Sequence, residues 1–478
     1  MRLMYAVVLI TALLSGCAST GDWSSDTPTK ANSKASKAAR VNLKNQSVSK
    51  VYAPSDNLWI RIRDGYQMEP MNTPLEIEQV RWLAARPDYV NRSMTRSSRY
   101  LFYIVQEVNA RNMPTEIALL PFVESAFVTN AKSSAKAVGL WQFMPATGKD
   151  FRLTQNVFRD ERRDVVQSTD AALDYLQRLN NQFGSWELAL AAYNWGAGNI
   201  SKAQKRNAAA GLPTDYESLT LPRETRNYVP KLMAYRQIVL DPQAYGIVLP
   251  ELENHPYFVA VEVGSDIDVA LVIKLAEIPT DEFHSLNPSF NKPVILSNAN
   301  QQILLPFAHA EIFQDNLKQY TKPLSSWTAV QVAKTESVDQ AAKTLGVDVD
   351  TLRDVNGIPR GMRIRAGSTV LIPKTSRRPG DVSTAMAENA SLSLEKPVPP
   401  APKCPKPAKA TKGAKPVKCV APSNSKTADK PSSKGNSSGK NAASQHKSAS
   451  TGLAKSAKNG NSPTSASGNA SKGVNKSQ

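Results

Sequence analysis

The stretch from Pro114 to Thr147 constrains this chain more than any other. An apolar run, Ile117-Ala118-Leu119-Leu120-Pro121-Phe122-Val123, ends on one carboxylate, Glu124, and Ser125 follows. No Asp or Glu occurs again before Asp150. The spacing predicts a helix opened by Pro114, a favoured first-turn position, that delivers a single acid at its end. A surface Glu closing a short helix is the ordinary reading of such a residue, but the flanking residues are almost all apolar. Apolar surroundings disfavour the charged carboxylate and keep a proton available near neutral pH, which suits general acid catalysis. Cleaving a glycosidic bond needs that proton on the leaving oxygen. Most glycosidases use two carboxylates, whereas substrate-assisted enzymes dispense with the second, so the acid-free interval fits a one-acid mechanism.

The neighbouring segments read as helices. Folded sequence starts near Asn57, with Leu58, Trp59, Ile60, Ile62 and Tyr66 densely apolar. A helix is expected over about 97–109, with Leu101, Ile104, Val105 and Val108 on one face. Ser168 is the expected cap of the next helix, with Asp170 in its first turn and Gly184 as its stop. Trp186 to Asn194 makes a further Ala-rich helix, which Gly196 and Gly198 end. Tight helix packing accounts for most of that stretch. Tyr193 and Asn194 stand out, since a sugar needs an aromatic face to stack on and an amide for its acetamido group. Strand patterns are nearly absent up to Asp241, so this part is mainly α.

Four motifs in order now resemble a known family. Glu124-Ser125, Gly139-Leu140-Trp141-Gln142, Ala192-Tyr193-Asn194 and Glu224-Thr225-Arg226-Asn227-Tyr228-Val229 are similar to the motifs of the soluble-lytic-transglycosylase catalytic domain, which is lysozyme-like. The resemblance implies that Glu124 is the catalytic acid and later the base. It implies that Ser125 helps position substrate, that Gln142 and Asn194 contact sugar, and that Tyr228 bonds the catalytic carboxylate. Trp141 stands where the family more often has methionine. The implied reaction is lyase-type cleavage of the β-1,4 bond between N-acetylmuramic acid and N-acetylglucosamine, exo or endo, leaving a 1,6-anhydro end and remodelling the cell wall.

Beyond Asp241 a pattern occurs twice, about 69 residues apart. Tyr257 to Val263 reads as a strand, followed by a helical stretch, Phe283, Leu286 and Asn287, and then Ile303 to Pro306. Trp327 to Val332, a capping box at Ser337 to Gln340, Leu352, Val355, Asn356 and Leu371 to Pro373 repeat it. The second unit resembles a LysM domain, a βααβ fold that binds N-acetylglucosamine chains, although Thr335-Glu336-Ser337-Val338 replaces the usual Gly-Asp-Thr-Leu. The first unit is a weaker match, and both also read as spacers. The expected architecture is a mainly α lysozyme-like catalytic domain over 56–245, followed by small α+β LysM-like domains over 256–308 and 326–374.

The ends differ in composition. Residues 1–17 read as a lipoprotein signal peptide, with Arg2, an apolar run too short to span a bilayer, and Leu14-Ser15-Gly16-Cys17 as a lipobox. Cys17 is then the lipidated residue. Ala18 is not the aspartate of an inner-membrane retention signal, which favours the outer membrane, facing the periplasm. Residues 18–55 read as a flexible tether. Residues 375–478 hold 18 Lys and Arg against 4 Asp and Glu and no aromatic residue, and read as a disordered basic tail. That tail supplies +14 of the net +18, so the body is near neutral and no specific nucleic-acid partner is expected. The expected partners are peptidoglycan strands and, through Cys17, a membrane. A periplasmic setting permits a disulfide between Cys404 and Cys419. Histidines are scattered and no CxxC spacing occurs, so no metal and no cofactor are expected. A hydrolytic muramidase and a non-catalytic wall-binding lipoprotein are the rival readings.

Overall fold

The computed structural model describes residues 57–297 and 302–397. Cys17, the expected signal peptide over 1–17, the expected tether over 18–55, Cys404 and Cys419 lie outside the described residues. From Asn57 to Tyr245 every regular element is helical, and only isolated bridges break the pattern. This agrees with the mainly α expectation.

Two short turns replace the single helix expected before Glu124. A 3-10 helix spans Thr115–Leu119, and an α-helix spans Leu120–Glu124 with Pro121 in its first turn. Proline has no N–H to donate and its ring crowds the preceding turn, so one continuous helix through Pro121 is disfavoured. Both turns are held by the core. Phe122 is fully buried, edge-on to Phe127 at 4.5 Å and stacked on Tyr235 at 4.9 Å between ring centroids. Glu116, the other acid of the run, is fully buried and satisfied. It accepts from the backbone N–H of Gln67 and Met68 and pairs with Arg236 at 3.1 Å.

The long helix Val165–Phe183 starts at Asp164, not at Ser168. The Asp164 carboxylate accepts from the N–H of Val166 and Gln167, while Ser168 lies inside the helix and its hydroxyl returns to the Asp164 carbonyl. Gly184 ends this helix in the left-handed region at φ 71°. Ser185 then caps Trp186–Trp195 by accepting from Leu188 N–H. Gly196 ends that helix, but Gly198 lies within the next one, Ala197–Ala209. The helix Tyr228–Leu240 packs against Pro74–Ala84, Leu120–Glu124 and Trp186–Trp195, which brings Tyr228 toward Glu124.

The two repeats share one plan. In the first, β1 (Phe258–Glu262) pairs antiparallel with β4 (Gln302–Pro306) around helices Val269–Ala276 and Thr280–Leu286. Between them, β2 (Ile267–Asp268) pairs with β3 (Val294–Ile295). In the second, β5 (Trp327–Gln331) pairs with β8 (Thr369–Pro373) around helices Val338–Leu345 and Val349–Asn356. Here β6 (Glu336–Ser337), β7 (Arg363–Ile364) and β9 (Leu394–Glu395) form a small second sheet. Asn287 and Asn356 do the same work in each. Asn287 donates to the carbonyls of Phe283 and Leu304 and accepts from Leu304 N–H; Asn356 donates to Leu352 and Leu371 and accepts from Leu371 N–H. The capping box at Ser337 and Gln340 is present.

The expectation of disorder from residue 375 is corrected over 375–397. That segment contains a helix, Thr384–Asn389, and β9, which extends the sheet through β7. Val382, Ala387 and Ala390 are buried against Phe158, Leu296 and Leu371. The segment also reaches the helical part, where Asn156 donates to the Ala387 carbonyl at 3.0 Å.

Candidate active site

Glu124 sits at the last position of its short helix, partly exposed, with the buried Tyr228 hydroxyl donating to its Oε1. Burial pushes the Glu124 carboxyl up to about 7, with the Tyr228 hydrogen bond and Lys231 opposing and Glu224 reinforcing the rise. The order of these causes decides the chemistry. Desolvation outweighs the hydrogen bond, so the acid holds a proton near neutral pH. Burial and the neighbouring Glu124 push the Tyr228 phenol well above its ordinary value, so it remains a donor throughout.

The segment after Glu124 is held in an unusual backbone path. Ala126 (φ 48°), Phe127 (φ 58°) and Gln142 (φ 48°) all adopt the left-handed region, which L side chains rarely occupy. Such strain persists only where surroundings over-determine it, and it clusters at functional sites. Here the surroundings are explicit. Ser125 Oγ donates to the Leu140 carbonyl at 2.9 Å, and Tyr193 Oη donates to the Trp141 carbonyl at 2.8 Å. Gly139, at φ 86°, lies directly on the 162–163 backbone, and a Cβ there would meet the Arg162 carbonyl oxygen at 2.1 Å. Glycine is the residue that fits.

The residues singled out from sequence fall into three sets. Glu124 and Tyr228 touch directly. Ser125, Gln142 and Tyr193 meet through the 125–143 loop. Gln142 spends its amide N–H on the carbonyls of Gly139 (2.8 Å) and Ala131 (3.4 Å), so only its oxygen is left to face a ligand. The Tyr193 ring is tilted against Tyr175 at 5.4 Å and edge-on to Phe143 at 6.5 Å, so its hydroxyl ties down the loop. Asn194 accepts from the Thr225 hydroxyl at 2.8 Å, which joins the third and fourth motifs. Trp141 is fully buried, with its indole N–H on Thr169 at 3.0 Å, and belongs to the core.

Sequence reasoning missed the clamp beneath this loop. Arg162 grips Asp160 with two hydrogen bonds, at 3.0 and 2.7 Å, and donates to the carbonyls of Lys136 and Phe143. Within the charged run 159–164, Glu161 and Arg162 are buried. Among the described residues no cluster of His, Cys, Asp or Glu could hold a metal ion.

Comparison with known proteins meets this geometry. A family model, the Transglycosylase SLT domain, matches residues 103–212, a span that holds Glu124, Ser125, Gln142, Tyr193 and Asn194 and ends before Tyr228. A second, described as the LysM-like domain of lytic transglycosylase MltD, matches 257–322, the first repeat. The fold and these models define a lytic transglycosylase with a helical catalytic domain and an appended LysM-like unit. The chain is 33% identical to membrane-bound lytic murein transglycosylase D of Escherichia coli K12 over 383 residues, covering 77% of this chain and 84% of that protein. It belongs to the membrane-bound lytic murein transglycosylase D family. A shorter match, 45% identical over 109 residues, is to a protein of Alteromonas sp. M-1 described as a putative tributyltin chloride resistance protein, covering 23% of this chain and 53% of that one. A solved lytic transglycosylase Slt from Pseudomonas aeruginosa is 26% identical over 32% of this chain and 25% of its own, with a TM-score of 0.24. Among the described residues no helix is long and apolar enough to cross a membrane.

Proposed function

We propose that this chain cleaves murein glycan with Glu124 as its single acid and base, and that the product carries a 1,6-anhydromuramic end. The observation that carries this reading is one desolvated carboxyl, pushed up to about 7 and bonded by a phenol that stays protonated. Glu124 gives its proton to the glycosidic oxygen as the bond to the muramic C1 breaks, and the N-acetylglucosamine side leaves as an alcohol. The acetamido carbonyl of the muramic residue stabilises the cationic centre. The carboxylate then takes the proton from that sugar's own O6 as O6 bonds to C1. Atoms balance without water, and Glu124 ends as it began. Tyr228 supports the ionised form midway, when the hydrogen bond is strongest. Asn194 retains an amide nitrogen for an acetamido oxygen, and Gln142 retains an amide oxygen for a hydroxyl.

The proposal extends to the rest of the chain. The catalytic domain spans 56–245, LysM-like units span 256–308 and 326–374, and a lipid on Cys17 tethers the enzyme to the outer membrane. A Cys17→Ala variant is then recovered in the soluble fraction; recovery with membranes contradicts the anchor. The reaction is tested by mass analysis of products from purified murein. Anhydro ends, which are refractory to borohydride, support it; reducing ends, each heavier by one water, indicate hydrolysis instead.

A further inference from the structure

Beside the Gly139–Gln142 segment lies a cleft of about 330 Å³ lined by Asn130, Lys132, Lys136, Val138, Pro145, Asp160, Arg162 and Arg163. Four of these are cations and one is an acid. Arg162 already neutralises Asp160 through paired hydrogen bonds. Neither Lys132 nor Lys136 forms an ion pair among the described residues. Arg163 donates from one terminal nitrogen to Asn291, while its Nε is buried without any hydrogen-bond partner. With Asp160 already held by Arg162, the exposed Lys132 and Lys136 and the Arg163 guanidinium leave the cleft with surplus positive charge, which suits an anion.

The cleft shares its backbone with the site. Ala131, between Asn130 and Lys132, accepts through its carbonyl from both Gln142 Nε2 and Gly139 N. The Arg162 backbone lies directly beneath Gly139. We propose that this cleft binds the carboxylates of the peptide stem that branches from a muramic residue bound at Gln142. The inference rests on the proposed murein-cleaving function and adds a recognition element to it. The glycan itself offers no charge for these cations, because the lactyl group of muramic acid is amide-linked to its stem. The stem carries free carboxylates, which match the surplus cations of the cleft.

The test is binding of a free stem tripeptide with its carboxylates intact, titrated into the full chain and followed by calorimetry or NMR. Saturable binding is expected. It should weaken at least fivefold in the double variant Lys132→Gln with Lys136→Gln, whose side chains are exposed and form no ion pair among the described residues. It should weaken similarly for the same peptide with its carboxyls amidated. The ratio of kcat/KM on stem-bearing glycan to that on stem-stripped glycan should fall about fivefold in the same variant. Absence of binding, equal affinity for the amidated peptide, or an affinity and ratio unchanged in the double variant would each overturn the assignment. Binding is read without cleavage, so a failure of the Glu124 mechanism leaves its own signature in the product analysis and does not imitate a failure here.

Discussion

Replacing Glu124 by Gln should make the protein more stable, and by an amount that depends on pH. The carboxyl is displaced from 4.5 to about 7 by burial. At about 1.36 kcal/mol per pH unit this corresponds to about 3 kcal/mol. The sign follows from proton counting. Below 4.5 the group is neutral in folded and unfolded chains, and its burial carries no ionisation cost. Between 4.5 and 7 the unfolded chain releases the proton and the folded chain keeps it, so stability falls as pH rises. Above 7 the full cost is present. Gln resembles the protonated acid in shape, and its oxygen can still accept from Tyr228. The stability gap between Glu124→Gln and wild type should therefore be near zero at pH 4, climb most steeply from 4.5 to 7, and level off near 3 kcal/mol at pH 8. Urea unfolding at fixed pH, followed by fluorescence of the fully buried Trp59 and Trp141, measures it. A gap of the same size at every pH, or a wild type more stable at pH 8, would refute the reasoning.

Other perturbations have definite directions. Tyr228→Phe removes a hydrogen bond that lowers the Glu124 pKa, so the alkaline limb of the pH–rate profile should move upward while cleavage falls roughly tenfold from lost positioning. Gly139→Ala forces a Cβ against the Arg162 carbonyl at a left-handed φ, and thermal unfolding should show a loss of more than about 2 kcal/mol together with activity. Asn356→Ala strands the backbone groups of Leu352 and Leu371 and should cost the second repeat about 2–3 kcal/mol, read as faster amide exchange at Leu371.

Much of the site was legible because its chemistry is local. An apolar run ending on one acid predicts a desolvated carboxyl, and the structure holds Glu124 in that setting. The mate of that acid, Tyr228, lies 104 residues on and came only from family resemblance, because nothing in its own neighbourhood distinguishes it from a core tyrosine. The Asp164 cap had a signal that went unused: Asp164 is followed by Val165, Val166 and then Gln167, an acid and an amide at capping-box spacing. The helix break at Pro121 followed from a rule for proline that the apolar periodicity obscured. The ordered segment 375–397 was hidden by averaging. Its apolar residues, Val382, Ala387, Ala390, Leu392 and Leu394, are diluted by the Lys-, Ser- and Pro-rich sequence after them, and they are ordered by surfaces that exist only once both repeats have folded. The strained φ values at Ala126, Phe127 and Gln142 have no sequence signature, since the loop is held by Ser125 across its own turn and by Tyr193 and Arg162 from outside.

The most direct measurement is a titration of the Glu124 side chain itself. Carboxyl-carbon NMR on protein labelled at glutamate, with Glu124→Gln to assign the resonance, reports its protonation between pH 4 and 9. A midpoint near 7 is predicted, shifting upward in Tyr228→Phe. A midpoint near 4.5 in the folded enzyme would mean that the group is ionised and solvated at neutral pH, and the one-acid account would be wrong.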